Sequence, residues 1–198
     1  EIYTLSLHDA LPICGVFAKE NKVDVAVVSK KTIEIKDQES QVEFIAIGKP
    51  SLLKINGKGG KMTGKVEIDN SIVSGNFVVP LGGLTTGIDL RDEHMRNKYL
   101  QTDKFPNAEL QISELKLEKS PMTSNFITKG LPFKGKLKIH DTESDVEGNF
   151  DIESMEHAIV IKAKTKTSIA AHKIDIPSYV GIKVADEVEI NVDLKIVK

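Results

Sequence analysis

Three side chains with acid–base chemistry lie close together near the middle of the sequence: Arg91, Asp92 and His94. A carboxylate beside an imidazole can transfer protons, and an arginine can hold an anionic group. In a helix, however, His94 lies on a different face from Asp92, and the sequence indicates no serine or cysteine nucleophile nearby. We therefore predict no catalytic residue and expect Arg91 and Asp92 to fix a helix in place, with an enzyme acting through all three as the alternative.

Metal, cofactor and phosphate sites are not indicated. The five histidines form no HExxH motif and no close pair; they are His8, His94, His140, His157 and His172. Cys14 is the single cysteine, which excludes an internal disulfide framework and a cysteine-based zinc site. Lys58-Gly59-Gly60-Lys61 resembles a phosphate-binding loop only in composition, because no strand-to-helix context surrounds it. We expect this tetrapeptide to form a flexible hairpin tip.

One helix is predicted, over residues 90–100. Asp89 is a suitable N-cap, and Asp92, three residues later, can act as the acidic partner of a capping-box-like start. Both carboxylates would face the positive end of the helix dipole. Met95 and Tyr99 are four residues apart and share one face, which is apolar enough to pack against the rest of the fold.

The remainder of the chain alternates between apolar and polar residues. The alternation is unbroken over residues 188–196 and nearly so over 159–169, as expected for strands with one face in an apolar interior and the other in water. Further strands are predicted at 42–47, 65–68, 71–80, 108–117, 134–140 and 146–152. The link from 118 to 133 is long and irregular.

This pattern predicts an all-β fold made of one antiparallel sheet. Eight or nine strands are joined by short turns, and nothing in their order indicates βαβ crossovers. Eight strands is the number at which a closed barrel encloses room for side chains or one slender ligand, and closure also removes the exposed sheet edges. A length of 198 residues suits a single barrel domain, and a net charge of -2 without charge blocks indicates no nucleic-acid partner.

The inward-facing side chains are the candidate ligand-binding residues. They alternate along the predicted strands or face inward from the helix: Val42, Phe44, Val66, Met95, Tyr99, Ile161, Ala163, Ile190, Val192 and Leu194. Ala163, Thr165 and Thr167 are small, and the chain has no Trp, so we expect the barrel interior to be under-filled enough to hold an apolar chain. The alternative is a solid core in a barrel that serves as a partner-binding module.

Residues 1–18 do not share the pattern of the rest. An apolar run ends in Val16-Phe17-Ala18, which has the small-residue spacing of a signal-peptidase site. We expect the remnant of a signal peptide here, preceded by non-native residues, and a periplasmic or secreted protein. No apolar run approaches the ~18 residues needed to span a bilayer.

The central stretch resembles the YceI-like, polyisoprenoid-binding family. The likeness rests on a Thr-Gly turn, an Arg-Asp-x-His-Met-Arg run, an aromatic-Leu pair and a Lys-Phe-Pro exit. The residues are Thr86, Gly87, Arg91, Asp92, His94, Met95, Arg96, Tyr99, Leu100, Lys104, Phe105 and Pro106. It implies an eight-stranded, lipocalin-like antiparallel barrel over residues 19–198 that holds a long apolar lipid.

The likeness extends over residues 40–47, 135–140 and 177–192, whereas Asp141 stands where the family usually has Gly. We expect non-catalytic binding, transport or storage of a polyisoprenoid or isoprenoid quinone, without a cofactor, in a monomer or homodimer. The alternatives are an enzyme acting on a lipid head group through Arg91, Asp92 and His94, and the solid partner-binding barrel.

Overall fold

The computed structural model describes residues 30–36, 40–49, 53–179 and 181–198. The expected signal segment 1–18, with Cys14, lies outside these residues. The strands are β1 Lys31–Ile35, β2 Ser40–Lys49, β3 Leu53–Gly60, β4 Thr63–Asp69, β5 Ile72–Pro80, β6 Asn107–Lys116, β7 Phe126–Ile139, β8 Thr142–Ser154, β9 Ala158–Ser168, β10 Ser178–Tyr179, β11 Ile182–Val184 and β12 Glu187–Val197. The helical segments are α1 Asp89–His94, a π-helical turn Met95–Leu100, and 3-10 turns Leu81–Gly83 and Ala170–His172.

The strands form one antiparallel sheet that returns on itself. Strands β4, β5, β6, β7, β8, β9, β12 and β2 pair in that order, and β2 also pairs with β3. Because β3 leads into β4 through Lys61 and Met62, the sheet closes into a barrel. Ser40 Oγ secures the joint, since it accepts a hydrogen bond from Met62 N at 2.6 Å and lies 2.8 Å from Met62 O.

The predicted all-β class is confirmed, but the described residues contain twelve strands rather than eight. Strands β3 and β4 form one long strand that is interrupted at the joint. Its first half, β3, pairs with β2, and its second half, β4, pairs with β1. Strands β10 and β11 are short additions beside the end of β2. This interrupted strand was not recognised from the sequence, because its apolar residues change phase across the joint, from Leu53 and Ile55 to Met62, Val66 and Ile68. The expected irregular link 118–133 is also shorter, since β7 begins at Phe126.

The tetrapeptide 58–61 is not a hairpin tip. Lys58, Gly59 and Gly60 belong to β3, and Lys58 pairs with Thr85 through two backbone hydrogen bonds of 2.8 and 2.9 Å. Gly59 has a φ of 91°, and a Cβ at this position would lie 2.8 Å from the carbonyl oxygen of Gly83. Glycine is required here because the turn Leu81–Gly83 approaches the strand so closely.

The expected helix over residues 90–100 is confirmed, since the helical segment covers residues 89–100, but its predicted N-cap was wrong. Ile88 is the N-cap residue and makes no side-chain capping bond, whereas Asp89 is the first helical residue. The chain continues from α1 into the π-helical turn and stops at Gln101, whose φ of 47° is left-handed. The helix face that carries Met95 and Tyr99 is directed towards the barrel interior, as the apolar spacing predicts.

The two ends of the barrel differ. At the upper end, the long connections 81–106 and 169–186 join β5 to β6 and β9 to β12. The lower end is filled by buried side chains near strand ends, which are Ile35, Ile68, Leu117, Ile152, Ile159 and Ile196. Ser154 helps to fasten this end, because its hydroxyl lies 2.8 Å from the carbonyl oxygens of both Pro121 and Ser124. Any interior space therefore opens at the top.

The pairing between β6 and β7 is short. The ladder consists of Glu109–Lys138, Leu110–Leu137 and Gln111–Lys136, although both strands continue below it. We call this unpaired stretch the β6–β7 seam; it comprises residues 112–116 of β6 and 126–135 of β7. A groove of about 560 Å³ lies along it, lined by residues that include Leu115, Leu131 and Glu147.

Candidate functional site

The barrel encloses a cavity of about 550 Å³, which is within the range of about 300–1,000 Å³ found for small-molecule sites. All ten sequence-predicted residues line it: Val42, Phe44, Val66, Met95, Tyr99, Ile161, Ala163, Ile190, Val192 and Leu194. Antiparallel pairing places several of them side by side, since Ala163 is opposite Val192 and Val192 is opposite Val42. The structure thus brings the predicted set together; that these side chains contact a ligand stays a prediction.

The cavity wall is almost entirely apolar. Strands from every side contribute aliphatic and aromatic groups, among them Phe77, Leu110, Phe133, Val146 and Phe150. Sequence analysis did not select these five, although their alternation points inward as clearly as that of the chosen residues. The lining residues with polar side chains are Glu43, Ser74, Thr86, Arg91, His94, Tyr99, Thr165, Thr167, His172 and Ser178. Such a wall suits an apolar ligand held with few polar contacts.

The rim of the cavity carries exposed apolar side chains. Ile88 and Leu90, at the start of α1, are each 52% exposed, and Leu53, at the start of β3, is 44% exposed. All three also line the cavity. Exposed apolar groups that lie together beside a groove are a common feature of ligand-binding surfaces. They mark the place where the cavity meets solvent, between the helix and β3.

Asp92 fastens the helix to the loop that precedes it. The carboxylate is buried, with 4% exposed, and accepts hydrogen bonds from the Thr86 backbone N–H at 2.7 Å and from the hydroxyls of Thr85 and Thr86. Arg91 also holds Thr86, because Nε donates to its hydroxyl at 2.7 Å and Nη2 donates to its carbonyl at 2.9 Å. Since Thr85 pairs with β3, these bonds tie the helix to the barrel, which confirms the expected anchoring role.

Two carboxyl groups have lowered pKa values. Burial works to raise the pKa of Asp92, but the hydrogen bonds from Thr85 and Thr86 and the nearby positive charge of Arg96 together outweigh it. The pKa of Asp186 is lowered chiefly by the Ala170 backbone N–H at 2.8 Å, with the Ser168 hydroxyl contributing at 2.7 Å. Asp186 therefore holds the 3-10 turn that carries His172.

These shifts predict an acid-sensitive fold. A depressed folded-state pKa contributes stability that is present above the unfolded value, near 3.9 for Asp, and is lost as the pH falls through the folded value. We therefore expect the free energy of unfolding to decrease below about pH 4. Urea titrations at several pH values would measure it. The decrease should be shallower in Asp186→Asn and in Asp92→Asn; identical slopes in all three proteins would contradict the assignment.

His94 lines the cavity, as the enzyme alternative requires, but the cluster does not assemble around it. The Asp92 carboxylate is directed at Thr85 and Thr86, and the Arg91 guanidinium at Thr86. His94 itself is exposed on the helix. The carboxylate that would orient the imidazole is thus engaged elsewhere, in a structural network.

His172 was not selected from the sequence as a site residue. It closes the turn Ala170–His172, is only 1% exposed and lines the cavity. Its ring nitrogens lie close to Thr142, Ser144 and Thr167, on β8 and β9. No local pattern marks such a residue, because its partners come from strands up to thirty positions away.

In the part of the chain that the structure describes, no group of three or more His, Cys, Asp or Glu side chains is arranged to hold a metal ion. Among the same residues, no helix has the length and apolarity that crossing a bilayer requires.

A family model of the YceI-like domain matches residues 33–196, which is most of the chain. Among curated proteins, none matches the chain. Several solved structures are similar. Burkholderia cenocepacia BcnA shares 17% identity at a TM-score of 0.65, with 81% of this chain and 98% of BcnA covered.

A polyisoprenoid binding domain from Saccharophagus degradans, implicated in plant cell wall breakdown, shares 12% identity at a TM-score of 0.60, with 83% of this chain and 98% of that domain covered. The Campylobacter jejuni YCEI protein shares 12% identity at a TM-score of 0.54, with coverages of 100% and 98%. At these identities the likeness shows the fold, which agrees with the barrel described above.

Proposed function

Because the chain belongs to the family of YceI-like domains, whose fold supports the binding of an apolar lipid in general, we propose that it binds one long-chain lipid inside its barrel without transforming it. The observation that carries the proposal is the cavity of about 550 Å³ walled by apolar side chains. Transport or storage follows from such binding, since a lipid held there is shielded from water and can be moved between membranes.

The energetics favour a chain-like ligand. Each buried methylene contributes about 0.8 kcal/mol, so a chain of about ten methylenes gains about 8 kcal/mol before the cost of ordering. The exposed rim of Leu53, Ile88 and Leu90 gives such a chain an apolar entrance. The cavity also weighs against a solid partner-binding barrel, which requires a packed interior.

We assign the ligand to the polyisoprenoids or isoprenoid quinones. A repeating methyl-branched chain fits a wall in which small side chains such as Ala163 alternate with larger ones such as Ile161. The similar Saccharophagus degradans domain bears the name of a polyisoprenoid binder, which supports the same class. The periplasm or the extracellular space is the proposed location, because lipids of this kind must there cross water between membranes.

The enzyme acting on a lipid head group through Arg91, Asp92 and His94 is the second candidate. His94 lines the cavity and supports it. The engagement of Asp92 by two threonines weighs against it, because the carboxylate of this cluster is directed away from the imidazole.

Native mass spectrometry of the purified protein would test the proposal. We expect a fraction of the molecules to carry one additional mass matching an isoprenoid lipid, and we expect delipidated protein to take up one isoprenoid quinone per chain. Bovine serum albumin treated in parallel controls for nonspecific adhesion. Delipidated protein that takes up neither a quinone nor an isoprenoid hydrocarbon would refute lipid binding, and a quinone altered on incubation would favour the enzyme.

A further inference from the structure

His172 is a buried polar group at an apolar cavity, and its hydrogen bonds define which nitrogen carries hydrogen. Nδ1 lies 2.9 Å from the carbonyl oxygen of Thr142, which can only accept. Nδ1–H is therefore the donor, and Nε2 presents its single lone pair to the other side of the ring. The tautomer is set by the backbone of β8.

Two hydroxyl groups compete for that lone pair. Thr167 Oγ1 lies 2.9 Å from Nε2, and Ser144 Oγ lies 3.1 Å from it. One lone pair accepts one hydrogen, so the second hydroxyl hydrogen finds no acceptor among the residues that the structure describes. Thr167 lines the cavity, whereas Ser144 is not part of its lining. When Ser144 donates to Nε2, the spare hydrogen therefore belongs to Thr167 and is available at the cavity wall.

We propose that the Thr167 hydroxyl, backed by His172 and Ser144, is the docking point for an uncharged oxygen acceptor in the lipid head group, such as the carbonyl of a quinone. The inference rests on the proposed function and names the head-group chemistry. An acceptor oxygen would satisfy the spare hydrogen, which an all-hydrocarbon ligand would leave buried without a partner.

The surrounding charges favour an uncharged head group at this position. Besides His172, two of the described lining residues have basic side chains. They are Arg91 and His94, and both lie on α1. That helical segment is tied to β3 through Thr85. In the closed order of strands, the β3–β4 path lies across the barrel from β8, which supplies Ser144. The groups bonded to the Thr167 hydroxyl and to the His172 ring include no lysine or arginine among the described residues, so a phosphate placed there would gain no such partner from them.

Binding of two matched probes tests the proposal: an isoprenoid quinone and the isoprenoid hydrocarbon of the same chain length. Thr167→Val keeps the branched shape and removes the hydroxyl. We expect it to weaken quinone binding about threefold to tenfold, as the loss of one hydrogen bond does, and to leave hydrocarbon binding unchanged. Ser144→Ala should also weaken quinone binding and spare hydrocarbon binding, because without Ser144 the Thr167 hydroxyl donates to His172 Nε2 and has no spare hydrogen for the quinone.

Thr165→Val is the matched control. Thr165 lines the same cavity two residues earlier on β9, but its hydroxyl already donates to the carbonyl oxygen of Glu147 at 2.8 Å. It should not discriminate between the probes. The docking point would be overturned if Thr167→Val and Thr165→Val had equal effects on quinone binding. It would also be overturned if quinone and hydrocarbon bound equally well and Thr167→Val changed neither affinity. Either result would leave lipid binding intact. Failure of both probes to bind would overturn the proposed function as well.

Discussion

Replacing Ala163 with Phe should abolish lipid uptake while leaving the barrel folded. Ala163 lines the middle of the cavity between Phe150 on β8 and Val192 on β12, which are its partners in the ladder. A phenyl ring at this position would occupy the space through which a lipid chain passes. We expect bound lipid to fall at least tenfold in native mass spectrometry, and the free energy of unfolding of the lipid-free protein to stay within about 1 kcal/mol, because the ring enters a void.

Lys164→Phe provides the matched control, since it places the same ring on the same strand but on the exposed outer face. It should bind lipid as the unmodified protein does. In a packed core, overfilling at Ala163 would instead cost about 1–3 kcal/mol. Loss of that much stability in the lipid-free protein would show that no void exists there, and unchanged lipid content in folded protein would remove Ala163 from the site.

The largest loss of stability is expected for Asp92→Ala. The change leaves the Thr86 backbone N–H and two threonine hydroxyls without their buried charged acceptor. Hydrogen bonds to a charged group are worth about 1.5–3 kcal/mol each and are not additive, so we expect a total loss of about 2–4 kcal/mol. Urea unfolding monitored by circular dichroism would measure it.

Two comparisons separate anchoring from a general effect of lost charge. Asp92→Asn keeps one acceptor oxygen and should lose less stability than Asp92→Ala. Asp89→Ala removes an exposed first-turn acid of the same helix and should cost only a few tenths of a kcal/mol. If Asp92→Ala were as stable as Asp89→Ala and a measurable turnover of lipid disappeared, the catalytic role of the cluster would have to be adopted instead.

The wall of the cavity could be predicted because a strand encodes orientation in a period of two. Residues such as Ala163 and Val192 needed only their own strand to be placed inward. The start of the helix was harder to predict from the sequence, because Asp89 and Asp92 are both plausible caps. Only the fold places Thr85 and Thr86 against Asp92. His172 was beyond reach for the same reason. Its environment is assembled from β8 and β9, which no local pattern connects to the turn that carries it.

The β6–β7 seam has a mechanical consequence for the barrel. In a closed barrel, each strand is held by hydrogen bonds to a neighbour on both sides, so small outward movements of the strands are shared around the circumference. Here the ladder around Leu110 joins β6 to β7 above the seam, and along the seam the two strands form no ladder with each other. Circumferential strain should therefore concentrate along this line, where parting the strands breaks the fewest hydrogen bonds. A barrel built in this way can widen to accept a bulky chain while the ladders elsewhere stay intact.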